Sequence, residues 1–375
     1  MKRGCGIAGV ILAGGLAKRM GEFKPMLEIG GVSVVETAAT RMRRAGISEI
    51  IVVAGHEREL IIREAHRLGC RPVYNPDYKS GMFSSVSSGI IALPPDIEAF
   101  FILPVDIPLV KPSTYVSLEE AFRAAAARPD VVYPLFHGER AHPPLVSRSM
   151  IEPILSWRGE RGLQGFFLEH PHTSIEVPVG DRASVLDMDT PDDYRHLLDY
   201  AKNEFYPDDD ECAELLMIAG APPRVARHSR VVADCAMLIA DALSAAGVKI
   251  NFRLLRAAAL LHDIAKGQKD HEIRGARWLR GRGYSKVAGI TASHKDLPVR
   301  GKTGEVEVLY LADKITDGTD TLTLEDRLAR MEERFPRGSE AMDNARRRLS
   351  DAMLVQKKIE DITGMSLEEI LGGVD

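Results

Sequence analysis

Ile7-Ala8-Gly9-Val10-Ile11-Leu12-Ala13-Gly14-Gly15-Leu16-Ala17-Lys18-Arg19 is an apolar run that breaks into paired glycines and then into positive charge, with Lys24 just beyond. A short apolar run bounded by glycine reads as a buried strand feeding a turn. Backbone N–H groups approach a polyphosphate only where side chains are absent, and a following helix N-terminus would add a favourable dipole. Arg19 as a bidentate fork and Lys24 as a point charge would hold the pyrophosphate leaving group. The spacing is neither GxGxxG nor GxxxxGK[ST], so the dinucleotide and P-loop readings both fail. Two glycines alone are more often a turn beside a solvated basic segment. The weight therefore rests on what surrounds them.

Outward from this loop, strand-like runs over 7–12, 49–54, 71–74, 99–104, 131–134 and 174–178 alternate with helical periodicity over 34–45, 57–68 and 84–92. Such alternation predicts a doubly wound, mostly parallel α/β sheet. Sites in these sheets lie beyond the carboxyl ends of the strands, here after the first and fourth runs. The character changes near residue 200. The stretch from Asn203 through Pro207 to Asp210 is polar and acidic and reads as a linker ending in a helix cap. Beyond it, 225–246, 254–266, 271–282, 305–316, 324–335 and 339–363 carry helical spacing. The chain of 375 residues thus divides into an α/β domain over 1–202, a linker over 203–211 and an all-α domain over 212–375.

The net charge of −5 leaves no global footprint for nucleic acid, and the run Arg346-Arg347-Arg348 reads as a solvated helix face. Cys5, Cys70, Cys212 and Cys235 are scattered without a CxxC pair, which points to a reducing compartment and away from a thiolate zinc site. No segment reaches the ~18 uninterrupted apolar residues that span a bilayer. A cytoplasmic protein with no membrane partner is expected.

The run Phe100-Phe101-Ile102-Leu103-Pro104-Val105-Asp106 is a buried strand ending in a carboxylate at the expected ligand edge, which suits Mg²⁺. A second acidic cluster, Asp187-Met188-Asp189-Thr190-Pro191-Asp192-Asp193, closes the domain. Thr190 as N-cap with Pro191 at the first helical position accounts for part of it. Asp187 and Asp189 precede the cap and stay free to be ligands.

These segments, with Gly81-Met82-Phe83-Ser84-Ser85 and Ala141-His142-Pro143-Pro144-Leu145 in the same order, resemble the MobA/MocA-like NTP transferases over about residues 5–200. The resemblance implies a Rossmann-like nucleotidyltransferase that moves a nucleoside monophosphate from CTP or GTP to a phosphorylated acceptor, with molybdopterin the leading one. It implies Leu12, Ala13, Gly14, Gly15, Arg19 and Lys24 at the nucleotide. Asp106 would hold Mg²⁺, and Asp187 or Asp189 would be a further ligand. Related transferases act on sugar phosphates, which is the alternative acceptor class.

In the second half, His228, His262-Asp263, His271, His294 and Asp313 stand in order. A lone histidine is usually ordinary, and His66, His137, His170, His172 and His196 are taken so. The pair His262-Asp263 follows the apolar run 254–261, and buried charge is costly unless paired or bound to metal. Adjacent helical residues diverge by ~100°, so further ligands must come from other helices. Nitrogen and oxygen ligands without thiolate suit a divalent transition metal such as Mn, Fe or Ni. The order resembles the HD superfamily of metal-dependent phosphohydrolases over about 208–320. The resemblance implies His228, His262, Asp263 and Asp313 on a first metal, His271 and His294 on a second with Asp263 bridging, and Lys266 on a phosphate. A catalytically silent nucleotide sensor is the alternative. The helical tail is expected to pack on this domain or to form a homodimer surface.

Overall fold

Strand β1 (Ile7–Leu12) is buried on both faces, which is why it shows no polar alternation. Ile7 and Ile11 belong to one apolar cluster, and Ala8, Val10 and Leu12 to another. The computed structural model describes residues 6–15, 20–297, 303–334, 336 and 339–372. In it, β1 lies within a sheet of β2 (Glu49–Ala54), β3 (Arg71–Tyr74), β4 (Ala99–Pro104), β5 (Val131–Phe136), β6 (Leu145–Ser147) and β7 (Ser174–Pro178). Their spatial order is β7-β5-β6-β4-β1-β2-β3, with Glu139–Arg140 paired outside this path on β5. Parallel pairing joins β1 to β2 and β4, β2 to β3, and β5 to β7. The short β6 is antiparallel to β4 and β5, with Val146 opposite both Phe100 and Val131. Sequence patterning marks no strand there, because three residues are too few to show a period.

Helices Val34–Arg44 and Pro112–Ala124 cover one face through Val35, Met42, Tyr115 and Phe122. Helices Met82–Ile91 and Gly162–Glu169 cover the other through Val86, Ile90 and Phe166. This is a doubly wound sheet. Its switch point is β1, whose Leu12 is level with Pro104 of β4 and accepts the Val105 N–H at 3.2 Å. The glycine loop and the loop of Asp106 are therefore neighbours. The residues directly after the glycine pair, where a helix N-terminus was expected, lie outside the described residues. Lys24–Met26 forms a 3-10 turn, and the first described α-helix begins at Val34, capped by Ser33.

The chain separates into compact units at Lys202 and Asn203. Asp208 accepts the Glu211 N–H at 2.9 Å in a capping box, so residues 209–211, read as linker, already form the first turn of helix Asp209–Ile218. The described residues of the second unit form helices and one short hairpin, Thr316–Asp317 with Asp320–Thr321. Its core joins helices Pro223–Ala245, Phe252–Leu261 and Glu305–Lys314 through Val232, Ile239, Leu255, Leu261 and Leu309. Helix Glu340–Thr363 buries Leu349, Val355 and Ile359 in that same core. The arginine run on it is more than a solvated face, since Arg347 and Arg348 pair with Asp296 and Arg346 pairs with Glu332.

Candidate functional site

Leu12 ends β1, Ala13 continues it by donating its N–H to Val53 O, and the two glycines open the loop. They do so for different reasons. A Cβ on Gly14 would lie 3.0 Å from Gly55 N and 3.2 Å from its Cα, whereas one on Gly15 would meet open space. Both line a cleft of about 300 Å³ with Lys24, Ser85 and Asp106. Arg19 lies outside the described residues, as does Cys5. Lys24 is 9 % exposed, with Nζ 2.7 Å from Asp189 Oδ1 and 3.5 Å from Asp106 Oδ2. The ammonium thus joins the loop after β4 to the acidic segment before helix Pro191–Asn203. Thr190 caps that helix by accepting the Asp193 N–H, which leaves Asp187 and Asp189 outside the cap.

Burial pushes the Asp187 carboxyl above its ordinary range, and the negative charges of Asp189, Asp106 and Asp193 push it further against the pull of Lys24. The three candidate ligands therefore share one field of like charge that Lys24 only partly neutralises. Among the described residues Asp106, Asp187 and Asp189 do not gather into a group of three metal ligands, and of the three only Asp106 lines the cleft. This fits Mg²⁺ only as an ion held by one or two carboxylates, with phosphates and water completing its shell.

A larger cavity of about 810 Å³ adjoins the cleft and shares Leu12, Gly81, Met82 and Pro104 with it. Phe83, Val86, Ile102, Phe167 and Leu168 give it apolar walls, Tyr133, Arg140, Arg161 and Gln164 add polar groups, and among the described residues no aspartate or glutamate lines it. His142 lines it too, its Nδ1 buried without a hydrogen-bond partner. Burial lowers the pKa of this imidazole, with Asp106 opposing. In the sequence His142 stands out only as part of the Ala141–Leu145 motif, because a single histidine among prolines carries no period.

In the helical unit, side chains distant in sequence converge. Among the described residues, His228, His262 and Asp313 form one group of potential metal ligands, and Asp263, His271 and His294 form another, with ligand atoms within 4.8 Å of one another in each. His228 comes from helix Pro223–Ala245 and Asp313 from helix Glu305–Lys314, while His262 caps the end of helix Phe252–Leu261. His271 opens helix His271–Gly281, and His294 follows helix Ser285–Thr291. Asp313 Oδ1 lies 3.3 Å from His228 Nε2 and 3.5 Å from His262 Nε2. Asp263 faces both groups, Oδ2 at 3.5 Å from His262 Nε2 and Oδ1 at 3.1 and 3.4 Å from the Nε2 atoms of His271 and His294.

This donor set fits divalent metal. His262 Nε2, Asp263 Oδ1 and His271 Nε2 are all buried without a hydrogen-bond partner, a costly state that a shared cation would relieve. Burial resists ionisation of Asp313, but Lys314 and the imidazoles of His228 and His262 prevail and hold its carboxyl well below the usual range. Burial lowers His294, with Asp263 opposing. Lys266 is half exposed and reaches Asp263 Oδ2 at 2.8 Å, at the mouth of the centre.

The first unit is a doubly wound sheet with a glycine-lined cleft at its switch point, and the second gathers histidine and aspartate side chains from several helices. Known families agree. The MobA-like NTP transferase domain matches residues 9–174 and the HD domain matches residues 225–317. The chain thus carries a MobA-like NTP transferase domain in its N-terminal half and an HD domain in its C-terminal half. The molybdenum cofactor cytidylyltransferase of Escherichia coli (strain K12) is 28% identical over 186 residues, covering 49% of this chain and 92% of its own length. The nicotine blue oxidoreductase of Paenarthrobacter nicotinovorans is 28% identical over 198 residues, covering 51% and 96%. The crystal structure of Rv0371c from Mycobacterium tuberculosis H37Rv aligns with 52% of this chain and 99% of its own at 25% identity, with a TM-score of 0.46. No helix among the described residues is long and apolar enough to cross a membrane.

Proposed function

We propose that the N-terminal domain transfers a nucleoside monophosphate from CTP or GTP to a phosphorylated acceptor, with molybdopterin the leading acceptor, and releases pyrophosphate. The meeting of Gly14, Gly15, Lys24 and Asp106 in one cleft, with Asp189 on the same ammonium, carries this reading. An acceptor phosphate oxygen attacks the α-phosphorus, forming a new P–O bond as the bond to the β-phosphate oxygen breaks and its electrons leave with pyrophosphate. Mg²⁺ held by Asp106 with Asp187 or Asp189 would supply charge neutralisation there. Lys24, with Arg19, carries positive charge to the departing pyrophosphate. Leu12 and Ala13 bring the backbone against the nucleotide.

The HD domain, on this reading, hydrolyses a phosphate ester or anhydride of a nucleotide with Mn, Fe or Ni as the metal. A divalent metal there would activate water and neutralise phosphoryl charge. Lys266 would hold a phosphate at the mouth. Both ligand groups are intact, which supports a working centre over a silent sensor.

The test is direct. Full-length protein with Mg²⁺ and CTP or GTP is assayed for pyrophosphate release on adding molybdopterin, and in parallel for hydrolysis of phosphodiesters and dinucleotides after metal analysis. Release with sugar phosphates instead would replace the acceptor. Full metal content without any hydrolysis would replace the hydrolase with the sensor.

A further inference from the structure

The four histidines of the HD centre are not held alike. The Nδ1 atoms of His294, His262 and His228 lie against backbone carbonyls, those of Thr291 at 2.6 Å, Ala259 at 2.8 Å and Gly318 at 3.1 Å. A carbonyl only accepts, so each neutral ring keeps its proton on Nδ1 and offers Nε2 as a ligand. His271 has no such anchor among the described residues. Its Nδ1 faces Glu272 Oε2 at 3.4 Å, and that oxygen is buried without a hydrogen-bond partner. Glu272 Oε1 in turn accepts from Lys295 Nζ at 3.0 Å.

The same asymmetry runs through the supporting structure. The first group stands on the long helix Pro223–Ala245 and on helix Glu305–Lys314, and the second oxygen of Asp313 is capped at 2.6 Å by the buried Lys314. Lys314 is fixed further by the His294 carbonyl at 3.1 Å. His271 instead follows a run of turns after Leu261, with Gly267 and Asp270 at positive φ just before it. A ligand already oriented binds without reordering, whereas one held only through a side-chain pair must be ordered as the ion arrives.

We propose that the two metal positions differ in grip. The position of His228, His262 and Asp313 retains its ion, and the position of Asp263, His271 and His294 exchanges. Glu272, braced by Lys295, is the positioning residue that sets the affinity of the exchangeable position by orienting His271. The inference rests on the reading that the HD domain binds metal.

The test uses full-length protein stripped with EDTA and titrated with Mn²⁺, followed by atomic absorption and electron paramagnetic resonance. Wild type is expected to reach two ions per chain with the coupled spectrum of neighbouring manganese. Dialysis against metal-free buffer should leave one ion with an isolated six-line signal. In Glu272→Ala the retained ion and the melting temperature in EDTA should match wild type, while the second ion should require about 10- to 100-fold more Mn²⁺. Glu272→Gln should fall between the two, and Lys295→Met, a change at a partly exposed side chain, should shift the second ion in the same direction. The proposal is overturned if Glu272→Ala and Lys295→Met load the second ion at wild-type affinity, or if wild type loses both ions together on dialysis. A wild type that binds no Mn²⁺ at saturation overturns the metal reading itself, and this proposal with it.

Discussion

Asp106 follows Val105, whose N–H is spent on Leu12 O, so the sheet rather than a free loop sets where its carboxylate stands. Asp106→Asn is accordingly expected to leave the melting temperature unchanged while reducing transfer by about 10² or more, the scale on which losing a transition-state stabiliser is felt. Pyrophosphate release measures it, and an undiminished rate would remove Asp106 from the metal site. In the other domain, His262 and Asp263 are almost wholly inaccessible. His262→Ala or Asp263→Ala should strip bound transition metal and abolish hydrolysis. Each should also erase the rise in melting temperature that added metal gives the wild type, because a ligand bound only by the native state stabilises it by mass action. A variant that keeps its metal and its turnover would return the pair to an ordinary structural role.

Among the elements, helix Asp209–Ile218 is tied to helix Phe252–Leu261 by a fork in which Arg256 Nε and Nη2 reach the Asp209 oxygens at 2.7 and 2.6 Å. The Arg256 guanidinium holds the Asp209 carboxyl below its usual range, with burial opposing. A carboxyl depressed in the folded state stabilises above its unfolded pKa of ~3.9, and that contribution fades as pH falls through the folded value. Both side chains are about a third exposed or more, so solvent screening limits the pair to about 0.5 kcal/mol. Asp209→Asn should therefore melt slightly earlier than wild type at neutral pH, and the gap should close in strong acid. A gap that widens on acidification would contradict the assignment.

For the whole molecule, each unit buries an apolar core of its own, two layers around the sheet in one and a single helical cluster in the other. Residues 1–204 and 205–375 expressed apart should each give a soluble fragment with one cooperative transition. In the intact chain, calorimetry should show chelator lowering one transition and Mg²⁺ with CTP or GTP raising the other. Loss of a transition on separation would mean that the two cores fold as one.

Contiguous signals were legible in the sequence itself, because their physics is local. An apolar strand broken by Gly14 and Gly15, a strand ending in Asp106, and a His262-Asp263 pair beside an apolar helix each declare themselves within about ten residues. Tertiary structure decided whatever depends on distance between elements. It set the antiparallel β6 into the middle of the sheet, since three residues take their state from Phe100 and Val131 on either side. It placed Lys24 between Asp106 and Asp189, carboxylates on segments far apart in the sequence. It sorted six ligands into two groups and gave Asp263 a face toward each, which no spacing along the chain encodes. It exposed the weaker footing of His271, because a ring's freedom is set by the carbonyl or carboxylate that packs against its far nitrogen, and only the fold chooses which one that is.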